Sequence, residues 1–213
     1  GRGALILLSC TLAMGALARL DRRFLPILSN RRHLGVTVCL LGLAHATFAV
    51  IQFHTQGDVN PFVSLLTGAA NVRRISAFPF ELLGLAALII LVLLAATSHD
   101  FWLATLTAPV WKTIHMLVYL AFGLLVAHVA LGNLQATTNP VPVFLLASTA
   151  TLVFGLHLVT GWRERPVDRS EVAMGEDGWV DICGVDEIRE LRARIALVGG
   201  ERIAVFRYDG RIS

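Results

Sequence analysis

Two histidines, His115 and His128, stand inside one strongly apolar run, Trp111 to His128. Their separation of 13 positions corresponds to roughly 20 Å along an α-helix, most of the depth of a hydrocarbon core about 30 Å thick. A second apolar run, His33 to Phe53, carries His33 and, 12 positions later, His45. Imidazoles at membrane depth are expensive unless partnered, and so mark function by default. The neutral ring also offers a nitrogen lone pair to a metal. Two imidazoles brought to one depth by two facing helices, inside an apolar sleeve, match the axial ligand set of a b-type haem. The bland alternative, a lone histidine bonded to a neighbouring carbonyl, accounts poorly for four histidines at matched depths.

The elements that must position these residues follow from composition. Of 213 residues, 55% are hydrophobic and 15% are charged, against about 25% charged in soluble domains; mean hydropathy is +0.68. This is the composition of an integral membrane protein. The net charge of +3 comes from basic residues flanking the apolar runs, which is positive-inside patterning rather than a nucleic-acid-binding stripe. Cys10, Cys39 and Cys183 are widely separated and compose neither a disulfide framework nor a metal site. The chain opens almost directly into an apolar run, as expected of a piece of a longer protein.

Five spans are expected: Gly3–Leu20, His33–Phe53, Pro79–Ser98, Trp111–His128 and Val141–Trp162, each near the length a bilayer requires. Arg19, Arg22, Arg23, Arg31 and Arg32 place the first loop in the cytoplasm, and Arg163, Arg165 and Arg169 place the C-terminal tail there. A bacterial inner membrane is the expected location. Between Thr55 and Phe78 the stretch NPFVSLLTGAANV suits a short interfacial helix. Pro79–Ser98 has no internal histidine and reads as packing scaffold.

The His33 and His45 span runs parallel to the His115 and His128 span, so His33 pairs in depth with His115, and His45 with His128. Two levels would hold two stacked haems. At about 100° per residue, however, separations of 12 and 13 turn the two histidines of each helix about 120–140° apart. The expectation is therefore one haem or two, with the deeper pair favoured. His54 and His99 lie at span ends, where interfacial roles suffice; His157 suits packing, or a hydrogen bond to a propionate. Arg31, Arg32, Arg73 and Arg74 are candidates to neutralise propionates. The competing reading is a helical membrane anchor or small-molecule transporter without haem. It fits less well, because no Asp lies inside a span and Glu81 sits at a surface.

From residue 164 the sequence is charged. Arg194–Val198, Glu201–Arg207 and Arg211–Ser213 read as strands joined by the hairpin dipeptides Gly199-Gly200 and Asp209-Gly210, with Trp179–Ile182 a further short strand. So short a meander buries little core. The expected architecture is an all-α transmembrane bundle over residues 1–163 followed by a small all-β fragment over 164–213.

Arg31-Arg32-His33-Leu34-Gly35, His45, Trp111, His115, Tyr119 and His128 resemble the ferric reductase-like transmembrane family. That family takes in the haem subunit of methionine sulfoxide reductase systems and, more distantly, the NADPH oxidases. The resemblance implies b-type haem ligated by His45, His115 and His128. His33 is closer to the oxidase pattern of two histidines on each of two helices. GWVDI and GGERIAVFRYDGRIS resemble the opening strands of a Rieske [2Fe–2S] domain, which implies a cluster whose ligands lie outside this chain. Together the two resemblances imply an oxidoreductase component. It would pass electrons between a cytoplasmic iron–sulfur module and membrane haem, with a redox protein or a quinone as donor or acceptor. No G-x-G-x-x-G nucleotide fingerprint is present.

Overall fold

In lipid, every backbone polar group must find its partner within the chain, which leaves helices as the simplest way for apolar runs to cross. The computed structural model describes residues 1–67, 79–132, 134–135, 137–169, 172, 175, 178–190 and 192–213. It divides into two compact units, residues 1–157 and 158–213.

The first unit is helical. Helix α1 is Arg2–Leu20, followed by a 3-10 segment, Arg22–Asn30. Helices α2 (Arg31–His54), α3 (Pro61–Thr67) and α4 (Phe80–Ala96) come next. Then follow α5 (Asp100–Thr105), α6 (Ala108–Leu131) and α7, which begins at Pro140 and continues to Arg169. The expected boundary at 163/164 therefore falls inside a continuous helix. Within the stretch expected to be interfacial, α3 forms over Pro61–Thr67, while its remainder beyond Thr67, with Arg73 and Arg74, lies outside the described residues. Pro109 sits in the first turn of α6, where its missing N–H is no loss.

Among the described residues, four helices are long and apolar enough to cross a membrane: Arg2–Leu20, Arg23–His54, Ala108–Leu131 and Pro140–Arg165. The fifth expected span is the shorter apolar helix Phe80–Ala96, of 17 residues, at the lower limit for spanning. Large apolar side chains point outward on these helices, among them Leu40, Phe48, Ile89, Leu120 and Phe144. Such a belt suits hydrocarbon and would be a liability in water.

Among the long helices, α1 packs on α2, α2 on α4 and α4 on α6, with a smaller contact from α6 back to α1. They close a ring of four in which α2 and α6 stand on a diagonal. Neighbouring axes lie about 8–10 Å apart, so the diagonal pair leaves room between its facing residues. The core is Leu8, Leu12, Val38, Cys39, Leu91, Ala121, Phe122 and Val153, with α7 joining through Val153 and through Phe154, whose ring packs on Phe122.

The second unit carries a three-stranded antiparallel sheet, β1 (Arg192–Val198), β2 (Glu201–Tyr208) and β3 (Arg211–Ile212), in the order β1-β2-β3. Both expected hairpins are present. The turn residues Gly199, Gly200, Asp209 and Gly210 all have positive φ, as a type I′ turn demands. The further strand expected at 179–182 is not formed; Trp179 is 78% exposed and this stretch lies outside the sheet. Gly200 has φ +78, a region costing an L-residue about 1–2 kcal/mol. Gly200→Val is expected to weaken the hairpin by about that amount, read as faster amide exchange across β1 and β2 with the helical amides unchanged.

Candidate functional site

The diagonal placement of α2 and α6 brings His45 and His128 together. Their ring centroids are 6.5 Å apart with an interplanar angle of 71°. His128 is oriented by α4: its Nδ1 lies 2.7 Å from the Phe80 carbonyl oxygen. A carbonyl only accepts, so Nδ1 carries the proton and Nε2 presents its lone pair. A backbone acceptor behind an imidazole is the usual way a metal-binding histidine is held in tautomer and plane. The Phe80 ring packs on the same imidazole at 5.6 Å.

On the other side of the pair, the first residue of the chain stands against His45; a Cβ built on Gly1 would lie 3.0 Å from its Nε2. Two imidazoles on one metal have ring centres about 6.3 Å apart, from metal–nitrogen bonds of about 2.0–2.1 Å plus about 1.1 Å within each ring. The observed 6.5 Å fits this. The interplanar angle is no obstacle, because ligation fixes the direction of each metal–nitrogen bond and not the rotation of the ring plane about it. Seating a porphyrin there requires the first turn of α1 to move off the His45 edge. Among the described residues no three His, Cys, Asp or Glu side chains gather into a metal site; an axial pair needs only two.

The shallower histidines are not brought together. His33 is exposed, and no ring contact or hydrogen bond joins it to His115. His115 stacks on Trp111 at 3.8 Å and 24°, and its Nδ1–H donates to the Trp111 carbonyl at 3.0 Å. Its Nε2 stands 3.5 Å from the Ser98 hydroxyl, and Trp111 Nε1–H donates to the Thr97 carbonyl at 3.1 Å. Trp111 is thus a structural neighbour of His115. Val38 and Cys39 on α2, and Ala121 and Phe122 on α6, form a packed layer between the two histidine levels.

The remaining candidates have local partners. His54 Nδ1 is 3.0 Å from the Ser64 hydroxyl, joining the end of α2 to α3. His99 caps α5, its Nδ1 accepting from the Phe101 N–H at 3.2 Å. His157 donates from Nδ1 to the Val153 carbonyl at 2.8 Å and packs edge-on against Tyr119 at 5.0 Å. Arg32 pairs with Asp100. The Arg31 guanidinium lies over Gly15 of α1, 3.6 Å from where a Cβ would stand.

What sequence reasoning missed is α4. Its Phe80 carbonyl and Gly84 shape the His128 setting, although the helix carries no histidine to signal that role.

Two histidines thus converge across the diagonal of a ring of apolar helices. The chain belongs to the family described as ferric reductase like transmembrane component, whose model matches residues 1–126, ending two residues before His128. It is an integral membrane protein. It is 32% identical over 133 residues to the protein-methionine-sulfoxide reductase heme-binding subunit MsrQ of Agrobacterium fabrum, covering 62% of this chain and 55% of that protein. To the MsrQ of Ralstonia nicotianae it is 29% identical over 163 residues, covering 76% and 70%. To that of Polaromonas naphthalenivorans it is 33% identical over 90 residues, covering 42% and 41%. The chain thus spans about half the length of the Agrobacterium relative. No solved structure matches it.

Proposed function

We propose that this chain is the haem-bearing membrane component of an electron-transfer system, with a b-type haem held between His45 and His128. The observation that carries the reading is the 6.5 Å convergence of these two rings, with His128 Nδ1 already engaged by a backbone carbonyl. The relatives are heme-binding subunits of a methionine sulfoxide reductase, which supports the same cofactor. Bound there, the haem supplies one-electron chemistry, while the protein supplies ligation, orientation and an apolar surround. Phe80 fixes which nitrogen of His128 faces the iron. Phe122 and Val38 pack the layer beneath and keep water from the ligands.

A second haem between His33 and His115 would require His115 to leave its Trp111 stack, so one haem per chain is the favoured stoichiometry. Phe80–Ala96 is read as the fifth span. The arginines of the first loop and those after Trp162 support a reading in which both lie on the cytoplasmic side of a bacterial inner membrane. The C-terminal hairpins are read as the opening of a Rieske-type module, whose [2Fe–2S] cluster, with ligands outside this chain, would exchange electrons at the cytoplasmic face with a redox protein or quinone as the further partner.

The test is a reduced-minus-oxidised spectrum with haem quantitation on protein purified from membranes. A Soret band with close to one b-type haem per chain is expected, and two per chain would add the shallower level. Purified, folded protein without a Soret band would overturn the proposal in favour of a helical anchor or transporter.

A further inference from the structure

Helices in lipid associate through close packing rather than hydrophobic gain, which favours small residues where backbones or rings must approach. Gly84 lies one turn beyond Phe80 on α4, on the same face of the helix. A Cβ built on Gly84 would stand 2.8 Å from both Cε1 and Nδ1 of His128 and 3.3 Å from its Cγ. The imidazole therefore occupies the volume that any side chain at position 84 would need. Two further contacts complete the enclosure. The Phe80 carbonyl accepts from Nδ1 at 2.7 Å, and the Phe80 ring lies 5.6 Å from the imidazole centroid, tilted 46°. Phe80 is itself held by an absent side chain, since a Cβ on Gly132 would come within 2.6 Å of Phe80 Cδ2. Elsewhere in the bundle Gly3, Gly35, Gly123 and Gly155 have open space at their Cβ positions and Gly42 meets the Leu88 side chain at 3.2 Å, so among the described glycines only 84 and 132 are crowded to under 3.0 Å.

We infer that Phe80 and Gly84 are positioning residues, forming a seat on α4 that sets the plane of the His128 imidazole and with it the 71° angle to His45. The inference rests on the ligation proposed above. The angle between two axial imidazole planes governs the g-anisotropy of a low-spin ferric haem, so the seat has a spectroscopic signature distinct from simple loss of fold. Gly84→Ala forces the ring to turn or withdraw. Gly123→Ala, five positions before His128 on α6, introduces the same methyl into open space and controls for the helix-propensity gain.

The experiment is low-temperature electron paramagnetic resonance and a redox titration on detergent-purified full-length chain loaded with haem b. The set comprises wild type, Gly84→Ala, Gly123→Ala, Phe80→Leu and His128→Ala. Gly84→Ala is expected to shift the largest g value and the midpoint potential beyond the replicate spread, with Gly123→Ala matching wild type. Phe80→Leu keeps the main-chain acceptor but removes the ring from the imidazole, and is expected to broaden the same g feature. It carries the test if Gly84→Ala does not accumulate. Wild-type g values and potential in either seat variant, alongside an altered His128→Ala, would overturn the seat while leaving the ligation standing. A wild-type signal in His128→Ala would overturn the ligation and the seat together.

Discussion

Replacing His128 by alanine is expected to abolish the six-coordinate, low-spin haem spectrum. His128 is half of a two-imidazole set, and no other histidine approaches His45 in its place. Altering only the hydrogen-bond partner of a metal ligand lowers affinity about 10–100-fold, so deleting the ligand itself should lower haem retention by more than about 100-fold. Haem that stays on His45 alone should be five-coordinate and high-spin. Millimolar imidazole added to His128→Ala is then expected to restore part of the low-spin signal, because it fills the vacated position without disturbing α6. His115→Ala removes a ring that already stacks on Trp111 and bonds its carbonyl. It is expected to leave the deep haem spectrum in place. Visible spectra of the three proteins check this directly, and an unchanged spectrum in His128→Ala would reject the ligand assignment.

The second large effect is expected from Phe122→Ala. Phe122 is 1% exposed, packs on Phe154 of α7, and sits in the layer between the two histidine levels. In soluble cores Phe→Ala costs about 3–5 kcal/mol. Lipid is as apolar as the protein interior, so here the transfer part largely drops out and lost packing remains. A destabilisation on the order of 2 kcal/mol follows from the cavity contribution. Phe144→Ala is the matched comparison, since that ring is 72% exposed and faces outward; its effect should be small. Thermal unfolding of both variants in one detergent tests the difference. Equal shifts would mean that this layer is not the packed centre of the bundle.

Much of this arrangement is legible in the chain because the bilayer restricts the options. Apolar length and arginine placement define the helices, and equal depth on co-directional runs is enough to bring His45 and His128 together as candidates. The relation of His33 to His115 is less legible: separations of 12 and 13 residues turn each second histidine about 120–140° away, which leaves one level or two open. Ring order is not legible. Nothing local says that α4 stands between α2 and α6, so the Phe80 carbonyl, which belongs to the backbone and has no residue-type signature, could not be foreseen as the partner of His128. Gly84 is hidden for a related reason. A glycine in an apolar helix looks like any other until the crossing of α4 and α6 brings an imidazole against it. In the second unit, Gly199-Gly200 and Asp209-Gly210 are strong local signals because positive φ is intrinsic to those residues. Trp179–Ile182 also follows an Asp-Gly dipeptide, 177–178, and Gly178 too has positive φ, yet the stretch stays outside the sheet: a turn dipeptide alone does not bring a strand to pair.

The central claim, that the deep histidine pair holds the haem, is tested most directly by haem quantitation on purified chains carrying His45→Ala with His128→Ala, beside wild type and His33→Ala with His115→Ala. The account predicts close to one haem per chain in wild type, none retained by the deep-pair double variant, and the wild-type amount in the shallow-pair variant. Wild-type haem content in the deep-pair variant, or its loss only in the shallow-pair variant, would contradict it.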